Sequence, residues 1–446
     1  MTRKRKALPE TPIEVEIESL THDGRGLAHV DGKALFVDGA LAGERVSVRY
    51  TRCQRRFDEG RVVAVHEAAP ERVTPRCPHF GVCGGCCLQH MAAGAQIGMK
   101  QRILADVLKR IGQVTPETWL DPLSAESWGY RRKARLGVRY VAKKGRVLVG
   151  FRERGTSFIT DLTRCEILHP SVGEQIAAIA DALQPLAIRA QIPQIEFAMG
   201  DGPGVLVVRA LTPPGPADQA RLVALGAATG LHIYLQEGGV DSIRPLPGQE
   251  AALHYELPRH AVRIGFEPTD FTQVNLPLNR LMVDRALELL DPQPDEAVLD
   301  LFCGLGNFTL PLARRAGRVV GVEGDPGLVT RARRNAERNQ ITQAHFEAAD
   351  LYGDEVARAP WLQERFSKAL LDPPRSGALA VLDWLPRLGV RRILYVSCYP
   401  TTLARDADRL VNGLGYRLVA AGAMDMFPHT GHLESMALFE RDAPTP

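Results

Sequence analysis

The chain has almost no charge imbalance. Its 55 lysines and arginines face 52 aspartates and glutamates, a formal net charge of +3 over 446 residues. No global charge therefore announces a nucleic-acid or membrane-surface partner, and any such surface must come from local clustering. Nowhere do about 18 uncharged apolar residues run together, so no transmembrane helix is indicated. The basic start, Met1-Thr-Arg-Lys-Arg-Lys6, has no apolar run behind it and does not read as a secretory signal. Internal repeats and low-complexity tracts are also missing. Cysteine is scarce, with eight in the whole chain, too few for a disulfide scaffold. What remains is 45% hydrophobic and 24% charged, an ordinary globular composition. At roughly 150 residues each, about three domains are expected, every one long enough to bury a core. The expected compartment is the cytoplasm, where thiols stay reduced. Cys77, Cys83, Cys86 and Cys87 crowd into one short stretch, which in that compartment points to metal or catalysis before disulfides.

Residues 11–68 read as all-β. Ile13, Val15 and Ile17 alternate with Glu14, Glu16 and Glu18, the period of a half-buried strand. Short apolar runs punctuated by glycine follow, which predicts a small closed barrel. Residues 75–90 form a cysteine-rich loop, and the spacing over 95–112 predicts a helix. Residues 128–265 mix strands and helices. From about 266 the pattern is regular. Strand-like Val298–Phe302, Val319–Val322, Ala369–Leu371 and Ile393–Val396 alternate with helical Leu276–Leu290, Leu328–Asn339 and Thr401–Leu414. Such alternation predicts a parallel α/β sheet with helices on both faces. Segments 1–70, 71–265 and 266–446 are the expected domains.

Three turns carry chemistry. Asp300-Leu-Phe-Cys-Gly-Leu-Gly-Asn-Phe-Thr309 follows a strand and opens a helix, and Gly304 and Gly306 permit close backbone approach to a ligand. Glu323 ends the next strand, where a carboxylate suits the two hydroxyls of a ribose. The third glycine of the dinucleotide fingerprint is absent, so the loop suits S-adenosylmethionine better than a pyrophosphate; a purely structural strand-helix turn remains open. The second turn, Leu371-Asp372-Pro-Pro-Arg375, is rigid because proline fixes its φ and restricts the residue before it. The third is Val396-Ser-Cys398-Tyr-Pro400. Cys398 there stands just before a predicted helix, whose dipole favours the thiolate; read alone, it is as well a small buried residue. Near the end, His432-Leu-Glu434-Ser435 opens a strand-like run, and Glu434 alone is either a general base or a solvated strand-edge charge.

Together these motifs resemble the bacterial uracil-C5 RNA methyltransferases that use S-adenosylmethionine. Phe271-Thr-Gln273-Val-Asn275, the glycine turn, Asp372-Pro-Pro-Arg375, Ser397-Cys398-Tyr-Pro400 and His432-Leu-Glu434-Ser435 occur in the family's order. The resemblance implies Cys398 as nucleophile and Glu434 as base. It implies cofactor contacts at Gln273, Phe302, Asn307, Glu323, Asp350 and Asp372, with Asp372 alternatively on the uracil edge. Residues 11–68 look like a TRAM domain, an OB-like RNA-binding barrel. Cys77-x5-Cys83-x2-Cys86, with a distant fourth ligand at Cys165, resembles the [4Fe–4S] motif of the ribosomal-RNA branch. Four thiolates by themselves suit zinc as well. The combination implies a middle domain carrying the cluster and a Rossmann-like C-terminal methyltransferase domain. It implies 23S ribosomal RNA as partner, with no membrane or obligate protein partner and a monomer as default.

An RNA surface is expected at Arg131, Arg132, Lys133, Arg135, Arg139, Lys143, Lys144, Arg146, Arg152 and Arg154. Tyr130, Tyr140 and Phe151 are interleaved there as stacking faces. Arg3–Lys6 adds a basic arm. A catalytically silent RNA-binding or assembly factor, or an enzyme acting on tRNA, are the competing readings.

Overall fold

A computed structural model describes residues 8–21, 23–353, 356 and 359–442; the basic run Arg3–Lys6 lies outside them. The chain forms two compact units. One comprises residues 1–100, 151–160 and 427–432, the other 101–150, 161–426 and 433–446. No helix among the described residues is long and apolar enough to cross a membrane.

In the first unit the alternation at Ile13 becomes the strand Ile13–Glu16, paired antiparallel with Arg45–Cys53. It belongs to a six-stranded sheet whose inner face is Ile17, Ala28, Leu35, Val37, Ala40, Val46 and Val48. Gly60 crosses this core because a Cβ there would stand 2.3 Å from Val48 Cγ1. Glu44, 0% exposed, anchors the sheet to the segment behind it. Its carboxylate accepts the Leu41 N–H at 2.7 Å, the Ala69 N–H at 3.2 Å and the Arg72 guanidinium. Burial alone pushes this carboxyl up, but the Arg72 and backbone hydrogen bonds outweigh it and hold it below the ordinary carboxylate value.

The second unit holds two large sheets. The first, six-stranded, takes the order Arg244–Pro245, Leu231–Gln236, Gly204–Arg209, Gln194–Met199, Lys133–Val141, Arg146–Gly150. The second, eight-stranded, takes the order Ala344–Ala348, Arg318–Glu323, Ala297–Leu301, Lys368–Leu371, Arg392–Ser397, Glu434–Glu440, Arg417–Met424, Thr118–Trp119. Its first five strands are parallel, and Glu434–Glu440 runs antiparallel to Arg392–Ser397. The predicted helix Leu276–Leu290 has those bounds, and Asn275 Oδ1 caps it by accepting the Leu278 N–H at 3.2 Å. The predicted helix 401–414 is α only over Pro400–Asp408 and continues as a π turn, Arg409–Gly413.

Replacing Glu44 by Gln leaves Arg72 facing a neutral group in a buried site, and we expect a loss of about 3 kcal/mol of stability at neutral pH. The carboxyl is depressed on folding, so its stabilisation is present above the unfolded value and is lost as pH falls through the folded one. Urea unfolding at pH 7 and near pH 3 checks this: the gap between wild type and variant should shrink at the lower pH. A gap that does not change would remove Glu44's charge from the account.

Candidate active site

Asp300, next to last in the strand Ala297–Leu301 and 0% exposed, is reached by the Thr309 hydroxyl at 2.6 Å from the start of the next helix. Its Oδ1 has no hydrogen-bond partner among the described residues. Burial, and then the charges of Asp372 and Glu323, push this carboxyl up to about 8. Phe302 follows in the left-handed region at φ 67°, held by its N–H on Val322 O at 2.9 Å. A non-glycine residue is rarely kept there without a structural or functional reason. Gly304 and Gly306 also take positive φ, 53° and 90°.

The predicted cofactor residues gather around this turn. Glu323 accepts the Gly304 N–H on one carboxylate oxygen and the Asp325 N–H on the other, both at 3.0 Å, so its side chain is held in place by the fold itself. Asn307 forms a reciprocal amide pair with Asn279 at 2.9 and 3.0 Å, and its Oδ1 also accepts the Tyr255 hydroxyl at 2.9 Å. Its side chain therefore fixes the turn from behind. Asn279 and Tyr255 were not singled out from sequence. The available signal was a polar residue inside the apolar stripe of Leu276–Leu290, where Leu278, Met282, Val283 and Ala286 are buried. Asp350 is exposed just past the strand Ala344–Ala348 and accepts the Tyr352 N–H at 3.0 Å; the Tyr352 ring lies 5.8 Å from that of Phe302. Gln273 is half-buried immediately before the helix Leu276–Leu290. Asp372 leaves the strand Lys368–Leu371, and burial pushes its carboxyl up to about 7.

Cys398 follows the strand Arg392–Ser397, and Glu434 opens the antiparallel strand beside it, where Ser397 stands opposite Ser435. The next residues outward in this register are Cys398 and Glu434. Glu434 is 6% exposed. The expected depression of the thiol by the following helix is not what the structure shows. Burial first, then the charges of Glu434 and Asp372, push Cys398 up to about 11, with Arg375 working in the opposite direction. Desolvation and two carboxylates outweigh one short helix.

The cysteine loop lies in the first unit. Cys83 Sγ accepts the Gly85 N–H at 3.4 Å, and its thiol is raised by burial and then by Cys77. Cys77 N–H donates to Gln89 Oε1 at 3.1 Å. Cys87 donates its N–H to His429 O and points its thiol at Asp23 O, 3.7 Å away. Cys165, in the second unit, is tied to the backbone of Gly173 at 2.8 Å. Among the described residues no three Cys, His, Asp or Glu side chains gather as a metal ligand set.

The basic stretch needs correction. Its residues divide between the two units, and many of its charges serve the fold. Arg135 pairs with Glu196 at 2.7 Å, Arg146 with Asp161 at 3.3 Å and Arg154 with Asp38 at 3.3 Å. Arg132 and Lys133 donate to the carbonyls of Gly200 and Asp270. The interleaved aromatics are not free stacking faces. Tyr130 is 2% exposed, Phe151 is half-buried, and the Arg189 guanidinium covers the Tyr140 ring at 4.8 Å.

Comparisons with known proteins match the chain over nearly its whole length. A family model described as tRNA (Uracil-5-)-methyltransferase matches residues 225–442, and one for the TRAM domain matches residues 11–70. The 23S rRNA (uracil(1939)-C(5))-methyltransferase RlmD of Stenotrophomonas maltophilia is 54% identical, covering 99% of this chain and 100% of that protein. The protein of the same name from Methylococcus capsulatus is 53% identical over 98% of this chain and 99% of its own. Among solved structures, the Pyrococcus abyssi tRNA (uracil-54, C5)-methyltransferase with S-adenosyl-L-homocysteine superposes with TM-score 0.73 at 25% identity, covering 96% of this chain and 99% of that one.

Replacing Asn279 by Ala removes both hydrogen bonds that hold the Asn307 amide from the helix. We expect S-adenosylmethionine affinity to fall about tenfold, from roughly 1.4 kcal/mol of lost positioning. Calorimetric titration checks it, and an unchanged affinity would show that the turn does not need the pair.

Proposed function

This chain belongs to the 23S ribosomal-RNA (uracil-C5) methyltransferases, and we propose that Cys398 and Glu434 carry its chemistry. It is an S-adenosylmethionine-dependent enzyme with an N-terminal TRAM domain and a C-terminal methyltransferase fold. The names of its relatives specify uracil 1939, and we assign the same uridine here.

Carbon 5 of uracil is a weak nucleophile. In the proposed mechanism Cys398 gives up its proton to solvent and adds as the thiolate to carbon 6, and the electron pair displaced onto the ring makes carbon 5 enolate-like. Carbon 5 then attacks the methyl group of the sulfonium, whose sulfur–methyl bond breaks to leave neutral S-adenosylhomocysteine. Glu434 removes the proton from carbon 5, and the carbon–sulfur bond breaks to restore the ring double bond. The observation that carries this reading is the adjacency of the two groups. They come from neighbouring antiparallel strands, and the carboxylate is near enough to raise the thiol. Gln273, Phe302, Asn307, Glu323, Asp350 and Asp372 are the proposed cofactor residues.

Three further assignments extend the reading. The functional segments are 1–70, 71–265 and 266–446. Cys77, Cys83, Cys86 and Cys165 hold a [4Fe–4S] cluster with a structural or RNA-positioning role. The motif spacing supports it, as does the Gly85 N–H on Cys83 Sγ, a contact that stabilises thiolate ligands. The direction of Cys87 toward Asp23 O favours Cys86 over Cys87 as the third ligand. The RNA-facing charge is carried by the exposed Arg135, Arg139, Lys143, Lys144 and Arg146 in the second unit and by the exposed Arg152 in the first, and the enzyme works as a monomer beside its ribosomal substrate in the cytoplasm.

Mapping 5-methyluridine in RNA from a strain lacking the gene should show loss at one 23S position; loss in tRNA instead would overturn the substrate. Cys398→Ala should abolish methylation while RNA binding persists, and Glu434→Gln should accumulate a covalent protein–RNA adduct, visible as a shifted band on a denaturing gel. Turnover in the first variant, or turnover without adduct in the second, contradicts the assigned roles. Anaerobically purified protein should carry about four irons per chain; stoichiometric zinc would sink the cluster assignment.

A further inference from the structure

The loop that carries Asp372 and Arg375 and the helix that follows Cys398 are fastened together by one buried carboxylate. Asp406 lies in the helix Pro400–Asp408 and is 0% exposed. Its Oδ2 accepts the Ala378 N–H at 2.6 Å and the Tyr395 hydroxyl at 2.7 Å. The same Ala378 N–H also lies 3.0 Å from the Tyr395 oxygen. Its Oδ1 accepts Arg405 Nε at 2.8 Å, and Arg405 in turn donates to Ser376 O at 2.8 Å. The loop lies against the helix because residue 377 is glycine. It takes φ +80°, and a Cβ there would come within 2.5 Å of Arg405 Nη2 and 2.6 Å of Asp406 Oδ2. From the other side the Tyr352 hydroxyl donates to Gly377 O at 2.7 Å.

None of these contacts involves a reacting atom, yet every one acts on the far end of the turn that bears Arg375. We propose that Asp406, with Tyr395, is a positioning residue: it locks the 372–378 loop to the helix after Cys398 and so sets where Arg375 stands relative to the nucleophile. The inference rests on the reading of Cys398 as that nucleophile. Three charged groups act on the thiol: Glu434 from the neighbouring strand, and Asp372 and Arg375 from the loop. Arg375 is the one that favours the thiolate and adjoins the anchored residues 376–378, whereas Asp372 is tied to the sheet by its N–H on Leu301 O at 3.3 Å, so a loop released from Asp406 displaces Arg375 first and leaves the two carboxylates less opposed.

An Asn at 406 is isosteric but cannot present acceptors to Arg405 on one side and to Ala378 and Tyr395 on the other. The test follows Cys398 alone, by its rate of reaction with iodoacetamide as a function of pH. Peptide mass spectrometry separates it from the other cysteines, with Cys398→Ser as the blank. In Asp406→Asn the midpoint of that profile should move upward and kcat should fall about tenfold or more. S-adenosylmethionine affinity should fall by less than kcat, since the glycine turn is untouched and Asp372 is the one proposed cofactor contact on the released loop. Tyr395→Phe keeps the carboxylate and should move both readouts in the same direction by less; it carries the test if the Asn variant fails to fold. A variant that binds cofactor normally but leaves the alkylation profile in place overturns the proposal. Failure of the nucleophile reading is seen separately, as methylation by Cys398→Ala.

Discussion

The positions of the proposed cofactor and catalytic groups depend on where the strand order of one parallel sheet reverses. The chain leaves Ala297–Leu301, lays Arg318–Glu323 and then Ala344–Ala348 on one side, and returns to place Lys368–Leu371 on the other. Loops leaving the two central strands therefore diverge, and a crevice opens at their carboxyl ends. Asp300 and the glycine turn stand on one side of it and Asp372 on the other. One strand further, Arg392–Ser397 delivers Cys398 at the same end. The next strand is antiparallel, so its first residue, not its last, arrives there. That is why the proposed base opens a strand while the proposed nucleophile closes one.

The reversal has an electrostatic cost. It brings Asp300, Glu323, Asp372 and Glu434 toward one end of the sheet, where Asp372 and Glu323 oppose ionisation of Asp300, and Glu434 and Asp372 oppose ionisation of the thiol. Asp300 is pushed up to about 8, Asp372 to about 7 and Cys398 to about 11. Such a site is poorly suited to holding an anion and well suited to a cation such as a sulfonium. It also means that thiol reactivity is governed by whatever positive charge is held close. Within the protein that charge is Arg375, which gives the anchoring of its loop an importance that its distance from the reacting atoms conceals.

The strand and helix periods were legible because each element buries one face or both, and burial writes itself into apolar spacing. The helix Leu276–Leu290 and the central strands follow from that alone. The motif residues were legible as types at strand ends. Their supports were not. Asn279, Tyr255 and Asp406 work through partners far away in sequence, and a polar residue inside an apolar stripe does not say whom it faces. The helix-dipole argument for Cys398 failed for the same reason. It used the local element, while the thiol responds to burial and to carboxylates from a strand and a loop distant along the chain. The carboxylates that partly neutralise the basic stretch, Glu196, Asp161 and Asp38, are equally non-local.

That last point bears on how the enzyme holds RNA. Ten basic residues within 131–154 look in sequence like one electrostatic footprint, but arginine is also the side chain best suited to stapling a fold, through bidentate pairing and carbonyl contacts. Arg132 and Lys133 are used in that way, and Arg135, Arg146 and Arg154 are partly neutralised by Glu196, Asp161 and Asp38. Counterion release counts only phosphates newly neutralised, so a paired arginine contributes less than an open one. The charge left to meet phosphate therefore concentrates on the turn bearing Arg139, Lys143 and Lys144, all exposed. On the proposed reading this surface supplies attraction and register, and the reading of the target base falls to the proposed site at Cys398 and Glu434.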